Sequence, residues 1–128
     1  MRAKNLLESF KYAIEGIIYT FKTQRNMRIH VVIAFLVIFF SFFLKLSKTE
    51  MILMFFTISL VIVAEMINTA IEATIDLITD KYHELAKIAK NVAAGAVLIS
   101  AVNSMVVAYI IFYDKIYNIL SRLIYNNK

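Results

Sequence analysis

The sequence has no cysteine, no proline and no tryptophan, and only two of its 128 residues are glycine. Without cysteine, the chain can form no disulfide, no thiolate metal site and no thiol nucleophile. Its two histidines, His30 and His83, are too few for a histidine-rich metal cage. Because proline and glycine are the usual helix breakers and turn formers, their scarcity favours long, uninterrupted helices.

Charged residues are also scarce, at 18% of the chain, whereas 61% of the residues are hydrophobic. This apolar share exceeds that of a typical soluble domain and predicts an integral membrane protein built from helices. The formal net charge is +5. Because the basic residues flank apolar runs, the positive-inside rule and attraction to anionic lipids explain this charge, and we expect no nucleic-acid partner.

Helical periodicity and apolar runs predict a single all-α membrane domain over residues 1–128. Residues 5–23 place apolar and charged side chains on opposite sides of a helix. This amphipathic helix either covers a bundle of other helices or lies in the membrane interface, and we favour the interface. Three transmembrane helices are expected, over residues 29–47, 50–78 and 91–113.

The charged segments between these helices predict the orientation in the membrane. Six Lys and Arg residues precede the first span, two lie in the first connection, and three lie in the charged connection over residues 79–90. The N-terminus and the second connection are therefore expected on the cytoplasmic side of the membrane. Thr49 is a candidate cap for the second span. The amphipathic tail over residues 114–128 is expected to cap the interface or extend the third span.

The most informative feature of the chain is a polar stripe at the end of the second span. Glu65, Asn68, Glu72 and Asp76 are spaced i, i+3, i+7 and i+11, so they share one face of a helix. A carboxylate at the bilayer centre costs roughly 2.5–3.5 kcal/mol on insertion scales. We therefore expect this stripe to avoid lipid and to form a polar site at the cytoplasmic boundary.

The chemistry of the stripe suits a magnesium-dependent phosphoryl transfer. Mg²⁺ takes oxygen ligands, typically one or two carboxylates completed by phosphate and water. Transfer of a phosphoryl group needs a metal, a cation on the phosphates and a base for the attacking hydroxyl. The sequence has no glycine-rich phosphate loop, which excludes a P-loop or protein-kinase mechanism.

Simpler interpretations of the same residues remain open. Glu65 and Glu72 can pair with basic residues of a neighbouring helix, and Asn68 can bond across helices. Lys90 can serve only to anchor the topology, and His30 and His83 can be ordinary interfacial residues. Taken alone, the pattern indicates a membrane helical bundle with an acidic site at the cytoplasmic boundary.

Around this stripe the chain resembles the small prokaryotic diacylglycerol kinases, in particular the undecaprenol kinase branch of Gram-positive bacteria. The resemblance covers about residues 5–113. It rests on four segments, whose order and spacing agree together: Arg25-Asn26-Met27-Arg28-Ile29-His30; Glu65-x-x-Asn68-Thr69-Ala70-Ile71-Glu72 followed by Asp76; Tyr82-His83; and Ala86-Lys87-x-Ala89-Lys90 leading into Ala93-Ala94-Gly95-Ala96.

The resemblance implies a homotrimer in which each chain supplies one surface helix and three spans, with active sites shared between subunits. It implies phosphorylation of a lipid alcohol by ATP with Mg²⁺, on the cytoplasmic side. Glu65 would be the general base, supported by Asn68, and Glu72 would bind Mg²⁺. The resemblance assigns nucleotide contacts to five further positions: Tyr12, Tyr82, His83, Lys90 and Asn91. It gives Asp76 no clear role.

Two positions depart from the family pattern. Gln24 stands where the family has a second glutamate ligand for the metal, and Asn91 stands where it has an aspartate after the lysine. We expect Gln24 to ligate Mg²⁺ more weakly than a carboxylate. The predicted function is thus an undecaprenol kinase, impaired to some degree by the two amides. The alternatives are a diacylglycerol kinase, a low-activity scaffold that binds nucleotide or partners, and a small transporter with an acidic ion path.

Overall fold

The computed structural model describes residues 5–125, so the last three residues of the predicted tail lie outside the described part. The described chain forms four helices in sequence order: α1 (Leu6–Thr23), α2 (Arg25–Phe43), α3 (Lys48–Ile78) and α4 (Glu84–Tyr125). Three of them, α2, α3 and α4, are long and apolar enough to cross a membrane. The prediction of an all-helical protein with three membrane spans is confirmed.

Helix α1 is capped by Asn5, whose side chain accepts a hydrogen bond of 2.8 Å from the backbone of Glu8. The helix ends at Gln24, where extended backbone turns the chain directly into α2. Thr20 is buried, whereas Leu7 and Phe10 are exposed on the outer side. This leaves α1 with an apolar face that the rest of the chain does not cover. Its placement at a membrane surface stays a prediction.

Two opposed capping motifs make the turn between α2 and α3. Lys45 adopts a positive φ of 52°, and Lys45 and Leu46 donate backbone hydrogen bonds to Phe42 and Ser41. This is a Schellman motif, which satisfies the last carbonyls of α2. Ser47 then caps α3 in a reciprocal box with Glu50. The sequence prediction of Thr49 as the cap was therefore wrong.

Helix α4 is longer at both ends than the third predicted span. It begins at Glu84, so part of the connection expected over residues 79–90 is helical. At 42 residues it is roughly 60 Å long, about twice the thickness of the hydrocarbon layer. The tail to Tyr125 continues this helix, which agrees with the second of the two alternatives predicted for it. An ion pair of 2.9 Å between Lys115 and Glu50 ties it to the start of α3.

The core is a thin seam along α3, which packs most extensively against α4. The buried residues of α3 recur every three or four positions, as expected for one face of a helix. Counted from the first connection, these residues are Met54, Thr57, Val61, Glu65, Asn68 and Thr69. Glu65 and Asn68 therefore continue the same face that carries the apolar core.

Candidate active site

Burial decreases steadily along the polar stripe of α3. Only 1% of the Glu65 surface and 7% of the Asn68 surface is exposed. One turn further on, Glu72 is half-buried, and after another turn Asp76 is exposed. The stripe thus faces the other helices at its deep end and reaches the surface at its shallow end. This is the orientation that the cost of a carboxylate in lipid predicts.

Glu72 stands at the centre of a hydrogen-bonded chain that joins α2 to α3. The side-chain amide of Asn68 donates to Oε1 of Glu72, and the amide of Gln24 donates to Oε2, both at 3.1 Å. Gln24 occupies the junction between α1 and α2, so this bond fixes the start of α2 against the stripe. Each oxygen of the Glu72 carboxylate therefore accepts from an amide.

Two oxygen atoms at the deep end of the stripe have no hydrogen-bond partner among the described residues. They are Oε2 of Glu65 and Oδ1 of Asn68, and both are fully buried. Burying such atoms without a donor costs about 1–3 kcal/mol each, and more for a charge. Unsatisfied acceptors of this kind suit a substrate hydroxyl, which can donate to them, or a hard cation.

A cavity of about 250 Å³ lies beside these oxygens. Asn26, Ile29 and His30 of α2 line one wall, and Glu65 and Asn68 line another. Small and aliphatic residues of α4 complete it: Ala94, Val97, Leu98 and Ala101. His30 and Glu65 therefore lie on the same cavity although they belong to different helices.

The site residues predicted from the sequence do not include Asn26 and His30. Their spacing to Ile29 places all three on one side of a helix, but only the packing shows which side that is. Two signals were available: these residues are polar at the end of an apolar helix, and they belong to the segment 25–30 that contributes to the family resemblance.

Four of the remaining predicted site residues gather around a second cavity, of about 350 Å³, where α3 ends and α4 begins. Tyr82, His83, Lys90 and Asn91 line it together with Asp76. The ammonium group of Lys90 bonds to Oδ1 of Asp76 at 2.5 Å. Lys90 is thus held by a carboxylate at the mouth of this cavity.

The two cavities share the face of α3. Asn68 of the first cavity precedes Asp76 of the second by eight residues, a rise of about 12 Å, and Glu72 lies between them on the stripe. A ligand that extends from one cavity to the other would therefore run along the stripe. Tyr12, on α1, is 39% exposed and lines neither of these two cavities within the described chain.

The donor atoms near Glu72 fit a magnesium ion of modest affinity. Among the described residues, no three His, Cys, Asp or Glu side chains form a ready metal cluster. Glu72 offers one carboxylate, and the unpartnered oxygen of Asn68, one turn away on α3, adds a second hard donor. Mg²⁺ commonly binds through one or two carboxylates plus phosphate and water. For Gln24 to ligate it, the amide must turn so that Oε1 replaces the nitrogen that now faces Glu72.

The sequence matches a family model and several known proteins over most of its length. Residues 11–112 match the model for prokaryotic diacylglycerol kinase. A diacylglycerol kinase of Synechocystis is 46% identical over 106 residues, which cover 82% of this chain but only 61% of that protein. The undecaprenol kinase of Bacillus subtilis is 44% identical over 109 residues, covering 85% of this chain and 89% of that protein. A diacylglycerol kinase of Haemophilus influenzae is 34% identical over 96 residues, or 75% and 81% of the two chains.

Proposed function

Because the chain belongs to the prokaryotic diacylglycerol kinase family, we propose that it is a membrane lipid kinase that transfers the γ-phosphoryl group of ATP to undecaprenol. The main support for this proposal is the buried carboxylate of Glu65, which has an oxygen without a hydrogen-bond partner and lines a cavity together with Asn68. A carboxylate in this position can accept the proton of an alcohol that enters from the membrane. The half-buried Glu72 and the lysine-bearing second cavity supply the polar groups that a phosphate-rich partner needs.

In this proposal Glu65 takes the proton of the acceptor hydroxyl, whose oxygen forms a bond to the γ-phosphorus. The bond from that phosphorus to the oxygen that bridges it to the β-phosphate breaks, and ADP leaves. Asn68 holds Glu72 through the 3.1 Å hydrogen bond and offers its own free oxygen to the site. Mg²⁺, held by Glu72 and Gln24, would supply charge neutralisation at the phosphate oxygens. Because phosphoryl transfer requires mainly positioning and charge stabilisation, few further groups are needed.

We assign the nucleotide to the second cavity. Lys90 would leave Asp76 to contact the phosphates, and Asn91 lies next to it. Tyr82 and His83 line the same cavity and offer a stacking surface for the base. Tyr12 is a further proposed nucleotide contact, on a different helix. An orientation with this end of the bundle in the cytoplasm would give the site access to ATP.

Undecaprenol is favoured as the acceptor because the undecaprenol kinase of Bacillus subtilis aligns with this chain over 89% of its own length. Diacylglycerol is the second candidate, since the Synechocystis relative carries that name at 46% identity. A low-activity scaffold is an alternative function. It is considered because Gln24 donates a hydrogen bond to Glu72, the residue proposed to bind the metal.

We also propose that three copies form the working unit. A single chain leaves large apolar side chains exposed on every membrane helix, such as Phe35, Phe56 and Ile99. Lipid covers such surfaces well, so the exposure alone does not count subunits. The homotrimer follows from the family resemblance, and cross-linking in native membranes tests it.

A phosphoryl-transfer assay with radiolabelled ATP tests the function. Purified protein in mixed micelles with Mg²⁺ is offered undecaprenol and 1,2-diacylglycerol at equal surface concentration. We expect label in undecaprenyl phosphate at the higher kcat/KM. A preference for diacylglycerol would overturn the choice of acceptor. Transfer to neither lipid would overturn the kinase proposal and favour the scaffold, which ATP binding would then test.

A further inference from the structure

A third cavity, with an apolar lining, adjoins the first cavity, which Glu65 lines. It has a volume of about 260 Å³ and shares two lining residues, His30 and Ala101, with the Glu65 cavity. Its other walls come from the same three helices, α2, α3 and α4: Ile33, Ala34, Val37, Ile58, Val61, Ile62, Ser104 and Met105. We call this space the apolar groove. Apart from His30 and Ser104, every residue that lines it is hydrophobic.

The groove leads from the buried carboxylate toward the centre of the membrane. Ile58 lies seven residues before Glu65 on α3, and Val37 lies seven residues after His30 on α2. Each separation corresponds to roughly 10 Å along a helix. Because both separations run toward the opposite face of the bilayer, the two cavities form one path from a polar end to a hydrocarbon end.

We propose that this groove holds the first part of a single hydrocarbon chain and that His30 positions the alcohol at its head against Glu65. This inference rests on the proposed lipid-kinase function. His30 is half-buried at the junction of the two cavities, so its imidazole meets a ligand where the polar part of that ligand ends. A neutral imidazole can both donate and accept a hydrogen bond. It can therefore hold the acceptor oxygen while the hydroxyl proton points to Glu65.

The apolar lining distinguishes between two classes of alcohol. In a long-chain mono-alcohol, such as a polyprenol, hydrocarbon follows directly after the hydroxyl carbon. In a diacylglycerol, ester groups follow, and they would enter a groove that offers few polar partners. Burying an ester carbonyl without a hydrogen bond is unfavourable. The groove therefore selects a single-chain mono-alcohol over a diacylglycerol.

Matched substitutions on α4 test the groove. Ser104 lines it, whereas Ser100, one turn away and also half-buried, lines neither cavity and bonds to the carbonyl of Ala96 in its own helix. We expect Ser104→Leu to raise the KM for a polyprenol at least tenfold without changing the KM for ATP. Ser100→Leu should leave both unchanged. Equal effects of the two substitutions would overturn the groove assignment.

The role of His30 is tested by separating kcat from KM. We expect His30→Ala to lower kcat with a polyprenol at least tenfold at an unchanged KM for ATP, because the hydroxyl loses its orientation. His30→Gln, which retains a donor and an acceptor, should recover part of that loss. An unchanged kcat in His30→Ala, or no recovery in His30→Gln, would overturn the positioning role.

A labelling experiment makes the inference independent of turnover. A polyprenol that carries a diazirine on its second isoprene unit is irradiated with the wild-type protein in micelles without ATP. We expect adducts on groove residues such as Ile58 and Met105. Adducts spread over the exposed residues of α2 and α4 would overturn the inference. Because no phosphoryl transfer is involved, this result is distinct from a failure of the kinase assay.

Discussion

Replacing Gln24 by glutamate should make the stability of this protein depend on magnesium. At present the amide of Gln24 donates to Oε2 of Glu72 at 3.1 Å. The substitution removes a hydrogen bond to a charged group, worth about 1.5–3 kcal/mol, and places a second carboxylate beside the first. Two such charges 4 Å apart repel by about 4 kcal/mol at an effective dielectric constant of 20, and by about 2 kcal/mol if they relax to 8 Å.

Because Glu72 is only half-buried, relaxation and solvent should reduce these figures. We therefore expect Gln24→Glu to lower the free energy of unfolding by about 2–4 kcal/mol without divalent cations. Mg²⁺ should offset this loss, because two carboxylates are a better ligand pair than a carboxylate and an amide. Binding to the folded state alone then stabilises by RT ln(1 + [Mg²⁺]/Kd), about 2.7 kcal/mol at a hundredfold excess over Kd.

The measurement is thermal unfolding of detergent-purified protein in EDTA and over a Mg²⁺ titration at constant ionic strength. Gln24→Ala is the control, since it removes the same hydrogen bond without adding a charge. The variant should melt below wild type in EDTA and gain more from Mg²⁺ than either wild type or Gln24→Ala. If Gln24→Glu is as stable as wild type in EDTA, or if Mg²⁺ shifts all three proteins equally, Gln24 does not face the metal.

Three further predictions concern the base, the nucleotide lysine and the long fourth helix. Glu65→Gln should reduce kcat about 10²- to 10⁴-fold. It should keep the melting temperature, because the amide is nearly isosteric and the orphaned oxygen had no donor to lose; near-normal turnover would remove Glu65 from the base role. Asp76→Asn should lower the KM for ATP because it frees Lys90 from its ion pair. The decrease should be up to about fivefold, which corresponds to an exposed ion pair of up to about 1 kcal/mol. An increase in the KM would show that Asp76 itself contributes to nucleotide binding. Lys115→Ala should lower the free energy of unfolding by about 1 kcal/mol, and Glu50→Gln should lower it by a similar amount. The double substitution should be little worse than either single one. Fully additive effects in this double-mutant cycle would show that the ion pair contributes nothing.

The sequence was sufficient to predict the membrane spans because their cause is local. Long uncharged runs can be satisfied only by helices in lipid, and the spacing of Glu65, Asn68, Glu72 and Asp76 fixes a helical face. The depth of each residue followed from the same spacing, and the burial of the stripe agrees with it. In each case the chemistry of consecutive residues decides the outcome.

Other features depend on contacts between distant segments, which one sequence does not display. From Val31 to Phe40 helix α2 is apolar on every side, so its sequence does not reveal that His30 and Glu65 line the same cavity. The turn at Lys45 uses a left-handed conformation for which glycine is the usual signal. Helix α4 starts at Glu84 because charged residues such as Lys87 are good helix formers in water. The salt bridge of Lys115 pairs segments that are 65 positions apart.

The side-chain amides of Gln24 and Asn68 can stabilise the Glu72 carboxylate at the membrane boundary without help from a cation. One negative charge between two amide donors is satisfied by hydrogen bonds alone, as the 3.1 Å contacts of Gln24 and Asn68 show. Two carboxylates at the same place would need a cation to be stable. We therefore expect Gln24 to stabilise the folded site when no cation is bound and to bind Mg²⁺ less tightly than a glutamate would. If Gln24→Glu raises both the turnover at low Mg²⁺ and the instability in EDTA, then activity and stability are opposed at this cluster.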